Sequence, residues 1–407
     1  MTNTNLPEKL FLEDLEVQGK RVLVRVDFNV PHSNKDSTID ITDDRRIRES
    51  LPTIHYLVKN NARVILMSHL GRPKGNRLPE SSLSPVAERL GELLNQHVAF
   101  ANDCIGEEVE KKVSTLENGQ ILLLENVRFH PGEEENDAEF SAQIARLGDL
   151  YINDAFGTAH RAHASTEGVT HLISLCATGY LLRKEIDYLG NALANPGHPF
   201  VAIIGGAKIS SKIIVLEKLL DRVDSLLIGG GMAYTFFKAM GHEIGHSLLE
   251  GNKQNEALRI LQAAEQKEGV ELLLPVDCVV AEGPGGEQKK IVSSESIPAD
   301  LEGLDIGPKT SQIYCDKVLN AKTVVWNGPM GMFEESAFAE GTNAVARALV
   351  ETTANGATTI IGGGDSALAI QQAGLDKKVS HVSTGGGASL EFLEGKILPG
   401  LAALTDK

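Results

Sequence analysis

The chain has 407 residues, room for two ordinary domains, and its 42% hydrophobic and 23% charged content is that of a globular protein. A formal net charge of −16 disfavours nonspecific attachment to nucleic acid or an anionic membrane, and no tract is apolar and long enough to span a bilayer. The four cysteines (Cys104, Cys176, Cys278, Cys315) form no C-x-x-C pair, which argues against a zinc site or a redox motif. The N-terminal stretch "MTNTNLPEKLFLEDLEV" is acidic and lacks a basic-then-apolar leader, so a cytoplasmic location is expected.

In chain order, short apolar runs end in glycine or a polar residue and lead into helical spacing. The first half holds "RVLVRVDFN", "RVILMSHLGR", "ILLLENVRF" and "LYINDAF". The second holds "FVAIIGGAK", "SLLIGGGMA", "LLLPVDCVV", "TVVWNGPMG", "TTIIGGGDS" and "VSHVSTGGG". Nearly continuous apolar strands alternating with helices predict an α/β fold with two Rossmann-like domains, each a parallel sheet covered by helices on both faces. Between the two series, Leu182, Ile186, Leu189 and Leu193 recur at helical spacing until "NPGHP" stops the helix. The expected division is 1–182, a connecting helix and hinge at 183–198, and 199–389, with a cleft between the domains.

Ligands of open α/β sheets bind beyond the carboxyl ends of the strands. In the first half those positions carry Asp27, Asn29, His69, Arg72, Arg128 and Asp154, and the planar fork of arginine suits phosphate and carboxylate. In the second half they carry "GGAK", "GGGM", "GGGD" and "TGGGAS", turns whose backbone N–H groups can approach a phosphate. Neither G-x-x-x-x-G-K-[ST] nor G-x-G-x-x-G occurs, so an ordinary P-loop enzyme or dinucleotide dehydrogenase is disfavoured. In "GGAKISSK", Lys208 and Lys212 fall in the first turn of an expected helix, where cations meet the positive end of the dipole and call for an anion.

Asp365 of "GGGDSA" is either a helix N-cap or, beside phosphates, a carboxylate for a divalent cation. His160 and His163 have a metal-permissive spacing, but an arginine accompanies them and zinc is disfavoured. The acidic run "GEEEND", 132–137, reads as a solvated loop.

Assembled, these strings resemble the phosphoglycerate kinase family essentially end to end: "RVLVRVDFNVP", "RIRESLPTI", "SHLGRP", "LLLENVRFHPGEE", "YINDAFGTAHRAHAST", "GGAKISSKI", "GGGMAYTF", "VWNGPMGMFE", "GGGDSA" and "STGGGASLEFLEGK". The resemblance implies reversible Mg2+-dependent phosphoryl transfer between 1,3-bisphosphoglycerate and ADP, giving 3-phosphoglycerate and ATP, by a monomer that closes its domains over both substrates. It implies that Asp27, Phe28, Asn29, His69, Leu70, Gly71, Arg72, Arg128 and Arg161 bind the glycerate substrate, with Arg46 at the transferring phosphoryl. It places Lys208 and Lys212 at the nucleotide phosphates, Gly303 at adenine, Glu334 at the ribose, and Asp365 at Mg2+ beside Gly363, Gly364 and Ser366 of the nucleotide site. Arg46, Lys208, Gly386 and Gly387 would carry catalysis, and the segment 390–407 would pack back on the first domain.

The sequence departs from the family form in a longer 31–44 segment, in Tyr234 and in a short N-terminal extension. A catalytically inactive phosphate sensor of the same fold is the alternative. Its expected mark, a missing lysine, arginine or aspartate in the motifs, does not occur.

Overall fold

A computed structural model describes residues 7–35, 38–286 and 288–407. The chain divides into two compact units, residues 1–187 with 397–407, and residues 188–396. The N-terminal extension and part of the longer 31–44 segment lie outside the described residues. Within the rest of that segment, His32–Lys35 pairs antiparallel with Thr38–Ile41.

The first unit is built on six parallel strands in the order Val98–Phe100, Ile121–Leu123, Arg63–Met67, Arg21–Val26, Leu150–Asp154 and Cys176–Thr178. Val22, Val24, Val64, Leu66 and Ile152 join Ile47, Ile54 and Leu57 of the helix Arg45–Lys59 in one buried apolar cluster. Burial of this kind contributes about 25 cal/mol per Å2 of apolar surface removed from water. The C-terminal residues complete this unit: Lys9 Nζ donates to the carbonyls of Ala402 and Leu404 at 2.8 and 2.9 Å, and Asn153 Nδ2 donates to that of Gly400 at 2.9 Å.

The second unit repeats the plan with the strand order Glu271–Leu273, Ser225–Ile228, Phe200–Ile204, Thr323–Asn327, Thr358–Gly362 and His381–Val382, again all parallel. In chain order this is 3-2-1-4-5-6, the doubly wound arrangement. "LLLPVDCVV" breaks at its proline into two strands. The second, Asp277–Ala281, pairs antiparallel with Lys290–Ser293 and Glu302–Ile306 in a separate small sheet.

In each large sheet the connections on either side of the first strand diverge, and between such strands lies a crevice of the kind in which these sheets bind ligands. In the first unit it lies between Arg21–Val26 and Leu150–Asp154, and in the second between Phe200–Ile204 and Thr323–Asn327. No helix among the described residues is long and apolar enough to cross a membrane.

Candidate active site

In the first unit the loops after three strands are tied together at the crevice. Ser68 Oγ accepts the Phe28 N–H at 2.8 Å, Asn29 Oδ1 accepts the Gly71 N–H at 2.8 Å, and Asn126 Nδ2 donates to the Leu70 carbonyl at 2.7 Å. Phe28 and Leu70 are buried in the apolar core, so these two residues can offer a ligand only their backbone.

Asp27 is buried, and its Oδ2 accepts from Arg46 Nη1 at 2.5 Å. Burial pushes the Asp27 carboxyl up, but Arg46 first, then His69, Arg25 and the Asn29 N–H, outweigh it and hold the group below its ordinary value. His69 is buried and its pKa lies well below the ordinary value, first through desolvation and then through Arg25, Arg128 and Arg46, with Asp27 opposing. Arg128 is buried too, donating from Nη1 to the Gly71 carbonyl at 2.9 Å, with Glu134 Oε1 3.2 Å from its Nε. Arg72 and Arg161 are exposed, and Arg161 Nε donates to His160 Nε2 at 3.1 Å. A ring of arginines around a neutral histidine and one carboxylate suits a small polyanion that also carries a hydroxyl.

Two expectations change here. Asp154, at the end of its strand, turns to the backbone: its Oδ1 accepts the N–H groups of Leu181 and Leu182 at 2.9 and 3.2 Å, at the start of the helix Tyr180–Ala194. The acidic run at 132–137 is solvated only in part: Glu134, Glu135 and Asp137 are exposed. Pro131–Glu134 is helical, Glu133 is fully buried, and Asp137 caps the next helix by accepting the Phe140 N–H at 2.8 Å. Glu133 is buried because Ser165 meets it, donating from Oγ at 2.6 Å and from its N–H at 2.9 Å. Residue reading also passed over Arg25, whose signal was available: beyond Arg21 at its start, the strand is apolar but for this one charged side chain between two valines.

In the second unit the crevice is walled by glycine. A Cβ on Gly205 would stand 2.1 Å from the Pro329 carbonyl oxygen, and one on Gly328, whose φ is +93°, would stand 2.3 Å from that of Gly205. The backbones touch there, and a larger residue would push them apart.

Beside these turns lies a pocket of 360 Å3, lined among others by Gly206, Gly230, Tyr234, Gly303, Glu334 and Asp365. Its size and mixed lining suit a nucleotide-sized molecule. Gly303 packs so closely on Tyr234 that a Cβ would fall 2.1 Å from the tyrosine hydroxyl. Gly363 and Gly386 have φ of +88° and +52° and precede the helices Gly364–Gln372 and Gly387–Leu393. The Ser366 hydroxyl is buried and accepts the Gly328 N–H at 2.6 Å, so it fastens the turn.

Lys208 is exposed and caps a short 3-10 turn, Ile209–Ser211, and Lys212 precedes the helix Ile213–Leu219. An anion is present at this turn: Glu250 accepts from the Ser210 N–H at 2.9 Å and from its hydroxyl at 2.6 Å. Lys212 Nζ donates to Asn327 Oδ1. Burial pulls the Lys212 pKa down to about 8, against the pull of Asp365 and Glu394 upward.

A sequence profile of the family described as "Phosphoglycerate kinase" matches residues 12–396. Curated relatives bearing that name include one from Pelodictyon phaeoclathratiforme, 57% identical over 402 residues, which cover 98% of this chain and 100% of the relative. Another, from Chlorobaculum tepidum, is 58% identical over 400 residues, with 98% and 100% covered. The solved structure of phosphoglycerate kinase from Coxiella burnetii superposes with a TM-score of 0.86 at 43% identity, covering 97% of this chain and 98% of that one. That of the Pyrococcus horikoshii enzyme gives 0.83 at 32% identity, with the same coverage. These matches lend no support to the sensor alternative. Joined to an arginine-lined crevice in one unit and a glycine-walled pocket in the other, they place the chain in the phosphoglycerate kinase family, an enzyme that moves a phosphoryl group between 1,3-bisphosphoglycerate and ADP.

Proposed function

We propose that the first unit binds 3-phosphoglycerate or its 1,3-bisphosphate and the second binds ADP or ATP, with transfer occurring directly between them. The carrying observation is the pairing, in one chain, of the Arg46–Asp27 and His69 cluster at one switch point with the glycine turns around Lys208 and Lys212 at the other.

Asp27 and Asn29 hold the glycerate near its hydroxyl and carboxyl. His69, Arg72, Arg128 and Arg161 take the 3-phosphate, and Gly71 contributes through its backbone. Gly303 borders the base, Glu334 takes the ribose hydroxyls, and Lys208 and Lys212 meet the phosphates with the turns at Gly363 and Gly364. The exposed carboxylate of Asp365, at a helix N-terminus on the pocket wall, is the kind of donor that Mg2+ takes alongside phosphate oxygens and water. When bound, Mg2+ neutralises phosphate charge.

At neutral pH the attacking oxygen, whether carboxylate or diphosphate, is already ionised, so no general base is needed. The protein positions the two substrates and cancels charge on the equatorial oxygens of a loose transition state. Arg46, Lys208 and the backbone N–H groups around Gly386 and Gly387 supply that charge cancellation. An acyl phosphate hydrolyses readily, so the two units close to exclude water, with 183–198 as the hinge. The enzyme works as a cytoplasmic monomer, each chain carrying both binding sites.

The reading is tested by incubating the purified protein with Mg·ATP and 3-phosphoglycerate and trapping acyl phosphate with hydroxylamine, with 2-phosphoglycerate and glycerate in parallel. Product from the 3-phosphate alone is expected. Equal product from glycerate would remove the arginine cluster from its role.

A further inference from the structure

Arg25 is fully buried in the strand Arg21–Val26, between Val24 and Val26. A guanidinium has five donors, no acceptor and a permanent charge, so its burial demands partners. The countercharge is Glu133, also fully buried, reached through Ser165. Arg25 Nε donates to Ser165 Oγ at 2.8 Å, and that hydroxyl donates onward to Glu133 Oε1 at 2.6 Å. Nη1 is taken by the Val26 carbonyl, and Nη2 lies 3.2 Å from Nδ1 of His69.

Because arginine cannot accept, Nδ1 of His69 must, and an imidazole that accepts at Nδ1 carries its proton on Nε2. We infer that Arg25, anchored by Ser165 and Glu133, is a positioning residue that locks His69 as the neutral Nε2–H tautomer, so that His69 meets the phosphoglycerate as a directional donor and not as a cation. The inference rests on the placement of that substrate in the first unit.

The electrostatics agree with the geometry. The charged groups that face the ring are Arg25 and Asp27 from the first strand and its end, Arg46 from the helix Arg45–Lys59, and Arg128 from the turn after Ile121–Leu123. Three cations and burial outweigh the one carboxylate and keep the ring unprotonated. The arginines then supply the charge and His69 supplies direction, without titrating across neutral pH.

The test is two-bond 1H–15N NMR of the full chain labelled at histidine ring nitrogens, with His69 assigned by comparison with His69→Gln. The free protein should show a neutral Nε2–H ring for His69 at and around neutral pH, and 3-phosphoglycerate should shift Nε2. Arg25→Met combined with Glu133→Gln removes both buried charges together. In that variant the ring should become a mixture of tautomers with a raised pKa. The KM for 3-phosphoglycerate should rise about tenfold with a smaller change in kcat, the scale of one hydrogen bond to a charged group. A wild-type ring protonated on Nδ1, or titrating at the ordinary histidine pKa, overturns the inference, as does an unchanged tautomer in the double variant. The Nε2–H tautomer with no response to 3-phosphoglycerate leaves the Arg25 lock standing and overturns the substrate placement.

Discussion

The two units build their crevices by opposite means. The first does it with side chains: Arg25 and Arg128 are buried, and Arg25, Arg46 and Arg128 are each held by a carboxylate, hydroxyl or carbonyl partner. The second does it with backbone: Gly205 and Gly328 press main chain against main chain, and among the described residues its buried charged side chains are carboxylates, Asp277, Asp305 and Glu394. A site made of side chains should be sensitive to lost charge, and one made of backbone to added volume.

The largest expected break is on the charged side. Arg46→Ala should lower kcat by on the order of 100-fold in a steady-state assay, the scale of losing one preorganised donor to the moving group. A near-normal kcat would take Arg46 out of that role.

Volume is the matching test in the second unit. Gly328→Ala places a Cβ 2.3 Å from the Gly205 oxygen at φ +93°, so it should destabilise the protein by about 1–3 kcal/mol and weaken ADP binding, read by thermal melts and calorimetry. The 3-phosphoglycerate affinity should be untouched. Loss of both affinities together would erase the distinction between the units.

Lys212 sharpens the contrast, because it is a charge inside the backbone site. Its pKa is pulled down to about 8 by burial, so the cation is lost as pH rises through that value. ADP affinity should fall by roughly tenfold between about pH 7 and about pH 9.5, the worth of one charge-assisted contact, and Lys212→Arg should flatten the profile because arginine stays protonated. A pH-independent wild type would show that Lys212 does not meet the phosphates as a cation.

The smallest effect concerns a matched pair, one carboxyl in each unit. Asp154 and Asp305 each accept two backbone N–H bonds, and burial pushes each pKa up to about 7. The folded chain then holds a proton that the unfolded chain releases near pH 4, so stability is greatest below that point and declines as pH rises to about 7. Asp154→Asn and Asp305→Asn should each remove part of the decline in chemical denaturation run across pH. An unchanged slope in either variant would assign the decline elsewhere.

The long strands were legible because an apolar run bounded by glycine has few other uses in an α/β chain. The short outer strands Val98–Phe100 and Cys176–Thr178 were not, since three residues carry no periodicity and edge position is a property of the sheet. Asp27, His69 and Arg128 were legible by their place after apolar runs. Asp154 has the same signal yet caps a helix, because the N–H groups of Leu181 and Leu182 reach it only in the folded unit. Glu133 looked like one more solvated acid until Ser165 and Arg25 were found behind it.

What the sequence determined by itself was local: which runs must be buried, where the backbone needs glycine, and which family these strings belong to. Strand order, the partners of buried charges and the tautomer of His69 were decided only by tertiary structure. Each depends on groups far apart in the chain meeting where water is excluded, and there an ionised group must be paired or carry a large desolvation cost.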